Sequence, residues 1–107
     1  HNSMVFTYDD ETIAMLSSAI SVEVGNDAII IGDKGRIFVP YFWCAQQATL
    51  YDNKGNIEDS FAEEGRINGY EHEVREVNQC LRDGKLESSI LPLEDTLDII
   101  KIMSIMV

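Results

Sequence analysis

Short apolar, β-branched runs separated by turn residues fill the first sixty residues, and a helical period replaces them afterwards. "MVFTY" at 4–8 and "TIAMLSSAISVEV" at 12–24 have the composition of strands, with the acidic run Asp9-Asp10-Glu11 as the polar turn between them. In "DAIIIGDKGRIFVP" two β-branched runs flank Gly32-Asp33-Lys34-Gly35, and "ATLYDNKGNIEDSF" repeats the device around Asp52-Asn53-Lys54-Gly55. Glycine can supply the positive φ of a tight turn, so both stretches predict hairpins. Pro40 lacks the N–H a ladder needs and ends one strand at an edge or bend. The first sixty residues therefore read as an antiparallel meander.

Then the period changes. Tyr70, Val74, Val77 and Leu81 recur at the spacing of one helical stripe, predicting a helix over 70–83. Asn68 with Glu71 resembles a capping box, Glu71 and Arg75 form an i,i+4 pair, and Gly84 is a natural stop. A second helix over 93–106 starts near Pro92, with Glu94 and Asp95 where the positive helix end favours acids. Its polar stripe, Asp98, Lys101 and Ser104, is narrow, so that helix expects cover on more than one side. The pattern predicts one α+β domain over 1–107: an open, largely antiparallel sheet with two C-terminal helices packed on one face. "DAIIIG" and "RIFVPYFW" lack the clean alternation of a sheet with one wet face. A second apolar face predicts a homo-oligomer joined through the sheet.

A chain of 107 residues can bury a sizeable core without disulfides or metals. Its 8 basic and 19 acidic residues give a net charge of −11, which repels phosphate backbones and anionic lipid; nucleic acid and membrane surfaces are excluded as partners. Cys44 and Cys80 read as buried free thiols of a cytoplasmic protein rather than as a disulfide. No secretory pattern opens the chain, and the final "IIKIMSIMV" is short and interrupted by Lys101 and Ser104.

Candidate chemistry is sparse. "GDKG" joins strand to strand, "DGKL" follows a helix, and the fingerprint G-x-G-x-x-G is absent, so no phosphate cradle is predicted. His72 and Glu76 lie one helical turn apart, the minimal geometry of a metal pair, but a third ligand is not evident; a structural or substrate-edge histidine is the reading adopted, with no metal. Ser17, Ser18, Ser88 and Ser89 lack a nucleophile-elbow context, and the acids at 9–11, 58–59 and 63–64 read as solvated turns. Tyr41, Phe42 and Trp43 crowd three aromatics behind a proline. They serve either core and interface packing or an aromatic wall for a ring-shaped or sugar ligand.

"YDDETIAMLSSAI", "GDKGRIFVPYFWCAQQATLYDNKG" and "GYEHEVREVNQCLRDGKLESSILPLEDTLDIIKIM" follow one another in an order that resembles the C-terminal domain of the Gfo/Idh/MocA oxidoreductases. The nearest likeness is to the branch of dihydrodiol dehydrogenases and NADP-dependent xylose dehydrogenases. The resemblance covers nearly the whole chain, and "GKLES" followed by "LPLEDTL" is its most specific part. It implies a parent that binds NAD or NADP in an N-terminal Rossmann domain and moves a hydride to or from a carbinol carbon of a sugar, polyol or cyclic diol. The family's catalytic lysine sits in a Glu-Lys-Pro motif. Lys34, Lys54, Lys85 and Lys101 all lie outside such a motif, so no catalytic or cofactor-binding residue is carried over and the chain alone is expected to be inactive. What the resemblance implies for this stretch is an oligomer interface and part of the substrate pocket. Trp43 matches a pocket-lining tryptophan of the dihydrodiol dehydrogenases, and His72 a position near the helix start that often holds Tyr or His; both are substrate-binding candidates. The rival reading is a stand-alone dimeric α+β module that binds a ligand or protein without catalysis.

Overall fold

The computed structural model describes residues 1–106, which form an α+β fold of six strands and two helices, with the helices C-terminal. Two compact units divide the chain, His1–Glu64 and Gly65–Val107.

In the first unit, β1 (Asn2–Thr7) and β2 (Ile13–Ser18) form an antiparallel hairpin, paired from Asn2↔Ser18 to Thr7↔Ile13. Its turn is closed by Tyr8 N–H donating to Thr12 O (3.0 Å) and Thr12 N–H donating to Asp10 Oδ1 (3.0 Å), with Glu11 at φ 67°. The strand expected over 12–24 stops at Ser18. The reason is supply of partners: β1 starts at Asn2, opposite Ser18, so residues beyond have no strand left to pair with.

A separate four-stranded antiparallel sheet follows in the order β3 (Ala28–Ile31), β4 (Gly35–Val39), β5 (Gln47–Asp52), β6 (Ile57–Ala62). Register sorts its faces, because directly opposed residues point the same way. Ile30, Ile37, Leu50 and Asp59 form one row, and the period of two adds Val39, Ala48 and Phe61 to that face. The other face carries the row Ile29, Phe38, Thr49 and Ser60, and beside it Ile31, Arg36 and Tyr51. There the Arg36 guanidinium lies 5.0 Å above the Tyr51 ring. One face is thus nearly all apolar, and the other is apolar only towards β3.

Both hairpins form where expected, but their glycines differ in role. Gly55 takes φ 88°, and the Asp52 carboxylate accepts the N–H groups of Lys54 and Asn56 (both 2.8 Å). Neither Gly32 nor Gly35 takes a positive φ. Gly35 is needed for room instead: a Cβ there would collide with the Tyr51 carbonyl oxygen. Asn53 Nδ2 donates to Asp33 O (2.8 Å) and ties the two turns together.

In the second unit, α1 spans Tyr70–Arg82 and α2 spans Leu93–Ile105. The capping box is displaced by one residue. Gly69, at φ 91°, is the N-cap; Asn68 Oδ1 accepts the Tyr70 N–H (3.0 Å), and Glu71 accepts the N–H groups of Ile67 (2.8 Å), Asn68 (3.3 Å) and Gly69 (2.7 Å). At the other end Lys85 N–H donates to Cys80 O (2.9 Å) past the left-handed Gly84, as anticipated. Pro92 caps α2, whose first N–H, that of Leu93, donates to Glu87 Oε2 (2.7 Å).

The expected sizeable core is not what the elements of these units build. Among the described residues Cys80, 9% exposed, is the one buried hydrophobic side chain. The stripe of α1, the whole apolar set of α2 and Ile29–Ile31 are exposed. Burial of such faces needs a second layer against them. Among the described residues no helix is long and apolar enough to cross a membrane.

Candidate functional site

A non-glycine residue in the left-handed region lies where β4 ends. Beyond Val39 and Pro40, Tyr41 adopts the left-handed region (φ 47°, ψ 52°) and Phe42–Cys44 make a single 3-10 turn. A tyrosine in that region is strained on the order of 1 kcal/mol or more and stays there only when its surroundings insist. Backbone bonds on both sides do so: Phe42 N–H donates to Asn26 O (2.9 Å) and Cys44 N–H to Tyr41 O (2.8 Å). The corner holds its three aromatics outward, with Tyr41 62% and Trp43 69% exposed.

Two concavities of the first unit meet at this corner. One, of about 390 Å³, is lined by Tyr41, Gln46, Gln47, Glu63 and the small side chains between them. The other, of about 400 Å³, is lined by residues 23–27 and again by Tyr41. Trp43, the expected wall, lines neither; Tyr41 lines both. Gln47 opens β5 opposite Ala62 of β6, and Gln46 O accepts the Glu63 N–H (2.7 Å), so sheet register places these groups around one hollow.

His72 belongs to the second unit, exposed in the first turn of α1, with its N–H donating to Gly69 O (3.2 Å). Glu76, one helical turn on, is engaged with other side chains. Its Oε1 accepts from Ser88 Oγ (2.6 Å) and Cys80 Sγ (3.4 Å), and these bonds, the serine's first, hold its carboxyl below the ordinary value. Among the described residues no group of three or more His, Cys, Asp or Glu side chains is placed to hold a metal. Cys44 and Cys80 are both free thiols, Cys44 half-buried; burial, then the Glu76 carboxylate, raises Cys80 and keeps it protonated. The Ser88–Glu76 and Leu93–Glu87 bonds fasten the "GKLES" segment to α1 and to the start of α2, so that motif is used in joining the helices.

Sequence reasoning passed over Tyr41, Gln46, Gln47 and Glu63 as a group. The polar dipeptide Gln46-Gln47 at a strand start was the available signal, but only the pairing of β5 with β6 brings Glu63 to it.

No protein-family model matches this chain. It is 31% identical over 106 residues to trans-1,2-dihydrobenzene-1,2-diol dehydrogenase of Xenopus laevis and 30% identical to the protein of that name from Xenopus tropicalis. Each match covers 94% of this chain and 32% of the relative, so the chain spans 32% of the length of the curated relatives it matches. These matches relate it to oxidoreductases.

Proposed function

We infer that this chain is the C-terminal domain of a Gfo/Idh/MocA oxidoreductase of the dihydrodiol and xylose dehydrogenase branch. The parent acts on a cyclic diol, a polyol or a sugar with NAD or NADP, in the cytoplasm. The observation that carries this reading is the run of 30–31% identity along 94% of the chain against diol dehydrogenases three times its extent. Nicotinamide, when bound, supplies hydride exchange with a carbinol carbon. The residues here do not fit that cofactor: the fingerprint G-x-G-x-x-G is absent, and at the glycine turn that opens α1 after β6 the N–H groups of Ile67, Asn68 and Gly69 are taken by Glu71 and that of Tyr70 by Asn68, where a pyrophosphate would need them. The cofactor is therefore assigned to an N-terminal Rossmann domain of the parent. This domain contributes the oligomer interface and part of the substrate pocket, with Trp43 and His72 as substrate-binding side chains.

Reduction of NAD or NADP by the longer protein with a cyclic trans-diol, xylose or a polyol tests the assignment. Turnover by that protein, and none by the 107-residue chain, is expected. Saturable micromolar binding of either cofactor by this chain alone, or no turnover of any diol, polyol or sugar by the longer protein, overturns it.

A further inference from the structure

We propose that Asn68-Gly69, at the start of α1, is a self-modification site whose neighbours promote loss of ammonia from the Asn68 side chain. The Gly69 nitrogen bonds to Asn68 Cγ, the Cγ–Nδ2 bond breaks, and the amide proton of Gly69 departs with Nδ2 as ammonia. Water then opens the resulting succinimide at Cγ, giving aspartate, or at the main-chain carbonyl, giving isoaspartate. No electrons change hands: one water enters and one ammonia leaves. This chemistry is independent of the oxidoreductase reading.

One turn supplies each group that the step needs. The electrophile is reachable, because Asn68 is exposed. The nucleophile belongs to a glycine, with no Cβ to crowd its approach. A base is in contact with it: Gly69 N–H donates to Glu71 Oε2 at 2.7 Å, the shortest of the three bonds that this carboxylate accepts from the backbone of the turn. An oxyanion donor is in place as well. Tyr70 N–H donates to Asn68 Oδ1 (3.0 Å), the oxygen on which negative charge builds as the nitrogen attacks. That bond also folds the side chain forward along the backbone, the direction in which the ring must close.

The other asparagines lack this set. Asn53 Nδ2 donates to Asp33 O and Asn56 Nδ2 to the Asp52 carboxylate (both 2.8 Å), so the nitrogen that must leave is held in each. Ile57, which follows Asn56, is β-branched and crowds its own nitrogen. Asn78 lies inside α1, where the Gln79 N–H belongs to the helical ladder. Asn2 and Asn26 precede Ser3 and Asp27, which carry side chains where Gly69 has none. Either product alters the start of α1. Aspartate adds a charge beside Glu71. Isoaspartate lengthens the main chain by a methylene and draws the Gly69 N–H away from Glu71, loosening the turn that holds His72.

Peptide mass mapping of the full chain, aged in mildly alkaline buffer, tests this. A gain of one mass unit at Asn68 is expected, at least about tenfold faster than at any other asparagine. Hydroxylamine, which cleaves a succinimide, should split the ageing chain between Asn68 and Gly69. Asn68→Ser keeps an oxygen for the Tyr70 N–H and should abolish both signals. In urea the dipeptide persists but the turn does not, so the rate at Asn68 should fall about tenfold. Glu71→Gln keeps an acceptor but no base, and should slow the folded chain by a similar factor. No gain at Asn68, a rate in urea that equals or exceeds the folded one, or an unchanged rate in folded Glu71→Gln refutes the site. The urea comparison needs no variant, so a misfolded Glu71→Gln would not remove the test.

Discussion

Glu71 serves its helix as an acceptor more than as a surface charge. Its carboxylate takes N–H groups from Ile67, Asn68 and Gly69, and these bonds, the one from Ile67 first, hold its pKa at about 2 instead of the ordinary 4.5. A depressed folded value means stability that is present above the ordinary value and lost as pH falls from 4.5 towards about 2. Amide signals of Ile67 and Gly69 should therefore collapse towards coil positions across that window, and Glu71→Ala, which leaves no acceptor, should show the collapsed state already at neutral pH. Signals unmoved at the acid end would refute the acceptor role. Glu11 makes the converse case: it sits at φ 67° with a side chain that backbone geometry does not favour there. Glu11→Gly should raise stability by about 0.5–1 kcal/mol, read as a higher melting temperature, since strain removed outweighs the entropy glycine adds to the unfolded chain.

At the scale of elements, what the sequence disclosed depended on whether one residue type carried the mechanism. The β5–β6 hairpin was legible because Asp52 and Gly55 are the residues that its turn requires. The stop of α1 was legible at Gly84 for the same reason. Strand ends were not: Ser18 closes β2 because Asn2 opens β1, a fact of pairing and not of residues 19–24. The cap of α1 moved by one because Gly69 can take φ 91° and Asn68 then reaches Tyr70. Nothing in "VPYFWC" announces a left-handed tyrosine, so the corner that shapes the candidate site was hidden, although its aromatics were not. Gly35 was read for a freedom it does not use. Its lack of a Cβ lets β4 lie against the Tyr51 carbonyl, a backbone atom held by the ladder, so Gly35→Ala should cost about 1–3 kcal/mol through forced backbone shifts. Urea unfolding reads the loss. A change below about 0.5 kcal/mol would mean that β4 and β5 separate easily there, and hydrogen exchange in both strands would then be fast.

For the whole molecule the deciding quantity is apolar surface. In the four-stranded sheet, Ile30, Ile37, Val39, Leu50 and Phe61 share one face; Ile30 is 62% and Phe61 65% exposed. In the second unit, all large apolar side chains of α2 are exposed. Single exposed leucines and isoleucines need no explanation, whereas a large contiguous apolar face marks an interaction surface. Closed two-fold pairing is the commonest way for identical chains to cover such a face. Charge opposes it, since two copies bring together two nets of −11. That repulsion is screened over about 8 Å at physiological salt, whereas apolar contact acts at touching distance. Association should accordingly strengthen as salt is added, the reverse of a complex held by ion pairs. Light scattering at micromolar concentration should report twice the 12.1 kDa of the chain, and Ile30→Glu, on the exposed edge strand of the apolar face, should return it to a monomer without unfolding it. A wild-type monomer at high salt that binds no apolar dye would show the opposite: these side chains find cover within their own chain.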